Sequence, residues 1–124
     1  MTATAGGGAA WPTELRVKTA ARVLEIDFDD GASFAIPAEL LRVESPSAEV
    51  QGHGSGGKKV VAGKRSVGIR AAQPVGRYAV RLVFDDGHDT GLFTWSYLRK
   101  LGADQAQLMD AYQAQLDRLG LSRG

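Results

Sequence analysis

The chain has 124 residues, enough for one domain with a modest core and no covalent staples. Apolar residues at 44% and charged residues at 23% place it among ordinary globular proteins. A net charge of +1 provides no global field for nucleic acid or an anionic membrane, and the absence of cysteine excludes disulfides, thiol catalysis and thiolate metal sites. No apolar run nears the ~18 residues of a membrane span. Neither membrane nor nucleic acid is an expected partner, and a cytoplasmic location is the default.

Residues 1–10, MTATAGGGAA, lack a basic or apolar signal region and read as a disordered lead. After Trp11-Pro12, Leu15–Lys18 alternates as a first strand. Val23–Phe28 makes a second, with Leu24, Ile26 and Phe28 on one side and Val23, Glu25 and Asp27 on the other. Asp29-Asp30-Gly31 is turn chemistry. Pro37 suits the first turn of a short helix through Val43, with Glu39 near its positive end. Residues 44–57, ESPSAEVQGHGSGG, form a glycine-rich loop, and Val67–Gly76 is a strand running to a turn.

Tyr78, Val80, Leu82 and Phe84 then share one side of a strand, and Asp85-Asp86-Gly87-His88 turns the chain. Gly91, Phe93 and Trp95 alternate with Thr90, Leu92 and Thr94 in a return strand. Ser96–Leu101 has helical spacing, with Gly102 as its stop. Ala103–Leu119 is an amphipathic helix with Leu108, Tyr112, Leu116 and Leu119 on one face. That face covers either the sheet or a second copy of the chain, the latter giving a homodimer.

Phe28-Asp29-Asp30-Gly31 recurs as Phe84-Asp85-Asp86-Gly87, and Leu41-Arg42 recurs as Leu98-Arg99. Each copy is a hairpin with a helical turn attached, too small to bury its apolar side alone. The expected fold is α+β: antiparallel hairpins in one or two small sheets, short helical turns and a C-terminal helix. Residues 11–102 form the domain and residues 103–124 the helix and tail.

Gly52–Lys59 fits G-x-x-x-x-G-K, but Lys59 stands where a phosphate loop needs Ser or Thr, and no apolar strand precedes it. No serine lies in a G-x-S-x-G elbow. The paired aspartates sit at turns, where structural roles account for them. His53 and His88 with Asp86 or Asp89 would make a two-histidine, one-carboxylate metal set. The simpler expectation is that His88 is a solvated turn residue or bonds an aspartate. Lys58, Lys59, Lys64, Arg65 and Arg70 form a basic strip without interleaved aromatics.

Leu41-Arg42 followed by Ser45-Pro46-Ser47-Ala48-Glu49-Val50, then Gly76-x-Tyr78, then Phe84-x-Asp86-Gly87-His88-x-x-Gly91-Leu92-Phe93-x-Trp95-x-x-Leu98-Arg99, form a combined pattern. From Trp11 to Gly102 the chain resembles the N-terminal domain of gamma-butyrobetaine hydroxylase, the DUF971 family, which also occurs as a free-standing bacterial protein. The resemblance implies a zinc site in some relatives, its three cysteines falling on Ser45, Ser47 and Val50 and its histidine on His88. Three of those four ligands are missing here, so no metal or other cofactor is expected. The family's hydroxylase chemistry belongs to a separate catalytic domain.

The expected function is a non-catalytic accessory domain for an unidentified protein partner. Its contact surfaces would be the basic loop, with Lys58, Lys59, Lys64 and Arg65, and the face around His88 with Trp95 and Tyr97. The alternative is an iron- or zinc-binding protein serving iron enzymes or iron–sulfur assembly through His88, His53, Asp86 and Asp89. An enzyme in its own right has no assembled nucleophile, base or cofactor loop behind it.

Overall fold

A computed structural model describes residues 10–51 and 58–124. The elements are β1 (Pro12–Lys18), β2 (Val23–Phe28), β3 (Ser33–Pro37), α1 (Ala38–Val43), α2 (Ala48–Gln51), β4 (Ile69–Val75), β5 (Ala79–Phe84), β6 (Leu92–Thr94), α3 (Trp95–Ala103) and α4 (Gln105–Leu119). They form two antiparallel three-stranded sheets, β1-β2-β3 and β4-β5-β6, which approach each other along β1 and β4. The class is α+β, as the repeated hairpins implied. Among the described residues no helix is long and apolar enough to cross a membrane.

Alternation sets the core. Leu24, Ile26 and Phe28 of β2 are buried, and so are Val80, Leu82 and Phe84 of β5. Burying each such side chain contributes about 1.5–3 kcal/mol. Ile36, Leu40, Leu41, Phe93, Leu98 and Leu101 join the same cluster, so neither hairpin has a separate core. Tyr112 and Leu116 of α4 enter it as well, and Tyr112 Oη donates to the Val61 carbonyl. Leu119 at the far end of α4 is exposed.

The duplication extends beyond the turn motif. β1 and β4 each carry a register shift near their starts, where they face Phe28 and Phe84. The chain therefore contains two β-β-β-α units, β1 to α1 and β4 to α3. Both aspartates of each Asp-Asp-Gly turn have matching tasks. The first ties down the residue ahead of the unit's first strand: Asp29 Oδ1 accepts from Trp11 N at 3.1 Å and Asp85 Oδ1 from Gly68 N at 3.0 Å. The second accepts from the amide after the turn glycine, Asp30 from Ala32 at 3.1 Å and Asp86 from His88 at 3.0 Å. Gly31 and Gly87 take φ of 91° and 92°, the left-handed region that glycine enters without steric cost.

Three expectations are corrected. Trp95 is not a strand residue but opens α3, because Thr94 Oγ1 caps that helix by accepting from Tyr97 N at 3.2 Å. Tyr78 lies ahead of β5 and is 65% exposed, so the buried row begins at Val80. Gly102 does not stop α3. The helix runs through it to Ala103, and Asp104 is the C-cap. The glycine is needed for close approach, since a Cβ there would lie 2.5 Å from Cγ of Phe34.

Gly102→Ala is accordingly expected to destabilise the fold by about 1–3 kcal/mol in urea denaturation. In Phe34→Leu protein the same change should cost measurably less, because the smaller side chain leaves room. Equal cost in both backgrounds would refute the packing argument.

Candidate functional site

Three groupings of polar and aromatic side chains invite a functional reading. The first surrounds His88. Residues 44–47 leave α1 and turn into α2, and this turn brings Ser45, fully buried, against the second hairpin. Ser45 Oγ lies 2.9 Å from His88 Nε2, and Ser47 N points at the same hydroxyl from 3.4 Å. The Ser45 carbonyl accepts from Gln51 Nε2 at 2.9 Å. Gly91 makes the approach feasible, since a Cβ there would sit 2.3 Å from Ser45 Oγ. His88 is 5% exposed. It is not a solvated turn residue, because the second hairpin docks against the Ser45 turn and carries the ring inside, while its amide donates to Asp86.

Asp86, its neighbour in the turn, is equally committed. Besides accepting from His88 N, its Oδ2 accepts from Arg42 Nε at 2.8 Å and Lys64 Nζ at 2.6 Å. Partial burial pushes this carboxyl up, but Lys64, the His88 amide and Arg42 outweigh burial and hold it at about 2. Asp89 is half-buried. His53 lies outside the described residues. Among the described residues no three His, Asp or Glu side chains gather as a metal set.

The four positions where the family resemblance puts zinc ligands do lie in one neighbourhood. Ser45 meets His88, Ser47 follows within the same turn, and buried Val50 donates its amide to the Ser47 carbonyl at 3.2 Å. The residues present do not fit the metal: two hydroxyls, a valine and one imidazole lack the thiolates that bind zinc. Ser45 and His88 are both buried, and their side chains face each other.

The second grouping is the basic strip, and the structure divides it. Lys58 pairs with Glu44 and Lys64 with Asp86. Lys59 and Arg65 are exposed. Tyr97, expected beside Trp95 on a contact face, turns inward instead. Its hydroxyl donates to the Glu44 carbonyl, and burial, then the Glu44 charge, pushes it up to about 12.

The third grouping is an aromatic slot of about 200 Å³ lined by Ala10, Trp11, Tyr78, Thr94, Trp95 and Ser96. Trp95 is fixed twice: its amide donates to the Tyr78 carbonyl at 3.0 Å and its Nε1 to the Arg77 carbonyl at 2.8 Å. The Trp11 and Tyr78 rings stand 5.6 Å apart, tilted by 42°. Trp11 and Tyr78 escaped the sequence reading as site residues. Trp11 stood at the edge of the lead, and Tyr78 matched the parity of a buried row.

Residues 15–99 match the family model described as gamma-butyrobetaine hydroxylase-like, N-terminal. The chain belongs to this family. No curated protein matches it. A solution NMR structure with 45% identity superposes with a TM-score of 0.82, covering 94% of this chain and 91% of that one. A second NMR structure, 48% identical, gives 0.81 and covers 98% and 90%. A crystal structure from Acidithiobacillus ferrooxidans, described as a DUF971-family protein of unknown function, is 44% identical with a TM-score of 0.63, covering 74% and 92%.

Asp86 offers a pH test. Its folded pKa of about 2 lies below the ordinary carboxylate value, so its stabilisation is present above about 4 and is lost as pH falls through about 2. Asp86→Asn should therefore cost about 1–3 kcal/mol at pH 7 and almost nothing near pH 2. Urea titrations at both pH values check this. A penalty independent of pH would show that the charge is not what matters.

Proposed function

We propose that this chain is a non-catalytic interaction domain whose partner docks on the aromatic slot of Trp11, Tyr78 and Trp95. One observation carries the reading: the slot is not demanded by the fold. In the other unit, the Ala38 amide donates to the Arg22 carbonyl at 2.9 Å, as Trp95 does to Tyr78. Gly68 takes the place of Trp11 there, bonded to Asp85 as Trp11 is to Asp29. Glycine, arginine and alanine thus satisfy the same backbone geometry without an exposed aromatic surface. Trp11 is 41% and Tyr78 65% exposed, which costs solubility and contributes little to the core. Tryptophan and tyrosine are also the residues that concentrate binding energy at protein interfaces.

The alternative, metal handling, has no ligand set behind it among the described residues, and the carboxylate beside His88 is already paired with Arg42 and Lys64. An enzymatic reading would need an accessible reacting group. The two groups closest to that description, Ser45 and His88, are buried against each other.

A photo-crosslinking amino acid placed at position 78, and separately at 59 and 65, tests the assignment in cells. A discrete adduct from position 78 that Trp11→Ser suppresses is expected. That substitution should weaken the purified complex by about tenfold or more while leaving the urea midpoint within error. Adducts only from positions 59 and 65 would transfer the contact to the basic strip and overturn the slot.

A further inference from the structure

Beyond α4 the chain turns back. Gly120 takes φ of 69° and its amide donates to the Asp117 carbonyl at 3.2 Å, while the Leu121 amide reaches the Leu116 carbonyl at 2.9 Å. Residues 121–124 then run beside residues 63–65. The Gly63 amide donates to the Ser122 carbonyl at 2.9 Å and the Arg65 amide to the Arg123 carbonyl at 2.8 Å. The Arg123 guanidinium meets Glu39 with both prongs, at 2.9 and 2.7 Å. Glu39 sits in the first turn of α1 and its side chain is 7% exposed.

A carboxylate this buried requires a cation, and the forked geometry favours guanidinium over ammonium. Apolar packing holds the segment poorly. Leu121 is 42% exposed, and a cavity of about 200 Å³ bordered by Arg65, Gln113 and Asp117 lies alongside it. Recognition rests on two main-chain acceptors and one arginine, features that any extended segment carrying arginine can reproduce.

We propose that the groove between residues 63–65 and Glu39 is a peptide-binding site for an extended, arginine-bearing segment, which residues 121–124 fill as a built-in ligand. An arginine-bearing strand of a partner protein would displace them. The tethered segment competes at an effective concentration in the millimolar range, so the groove discriminates against weak or arginine-free ligands. This site is separate from the aromatic slot and shares no residue with it.

The test uses full-length protein carrying Arg123→Ala, titrated with acetyl-Gly-Leu-Ser-Arg-Gly-amide and followed through the Gly63 and Arg65 amide NMR signals. Saturable shifts at both amides are expected. Binding should be weaker by about tenfold or more to wild-type protein, and to a similar degree for a peptide with alanine replacing arginine. No saturable shift, or equal binding of the alanine peptide, overturns the proposal. If the variant does not fold, hydrogen exchange on wild-type protein decides. The Gly63 and Arg65 amides should exchange about tenfold or more faster than those of β2 and β5. Exchange at the core rate would make the segment a fixed part of the fold and overturn the proposal. Tyr78→Ser leaves each of these readouts unchanged, so failure of the slot and failure of the groove are distinguishable.

Discussion

Two arginines hold the halves of this molecule together reciprocally. Arg42, in the helix of the first unit, binds Asp86 in the turn of the second at 2.8 Å. Arg99, in the helix of the second, binds Asp30 in the turn of the first at 3.0 Å and lies over the Phe34 ring at 5.1 Å. Each partner belongs to the repeated Asp-Asp-Gly or Leu-Arg motif. A carboxylate already fixed by its own turn loses little freedom on accepting a guanidinium, so the pairing sets how the units face each other at small entropic cost. The leucines beside these arginines, Leu41 and Leu98, are buried where the units meet in one core. Ion pair and apolar anchor are thus delivered by adjacent residues of one short helix.

Duplication does not make the halves equivalent. Where α3 of the second unit passes the first hairpin, Gly102 accommodates Phe34. At the matching place around α1, Gly91 in the second hairpin accommodates Ser45, and His88 completes the contact. One junction is filled by a ring against glycine, the other by a hydrogen-bonded serine and histidine. The second solution buries two polar groups, with Ser45 Oγ and His88 Nε2 at hydrogen-bond distance, which lowers the cost of burying them. The chain's most chemically suggestive pair thus lies buried where the units join.

The surfaces left for function are those the duplicated framework does not use. Asp30, Asp86, Arg42, Arg99 and Lys64 are consumed in ion pairs between the turns and their surroundings. The aromatic slot and the groove holding Arg123 depend on residues with no counterpart of the same chemistry in the other unit. Both are proposed here as sites for protein segments, one through apolar area and the other through a single buried charge.

The sequence by itself determined the hairpins, the duplicated motif and the α+β class. Period-2 burial and Asp-Asp-Gly turns are local properties, written in neighbouring residues. It also contained the arginine and aspartate of each reciprocal pair, but not that they bind across units, since each pairing joins residues far apart in the chain. Gly102 read as a helix stop because glycine's conformational freedom is visible locally, whereas the Phe34 ring pressing on it is not. His88 read as a turn residue because the serine that buries it arrives from the opposite half. Tertiary structure alone decided which charges were spent and which aromatics stayed exposed. Those outcomes depend on distances between the two units, and no periodicity within either one encodes them.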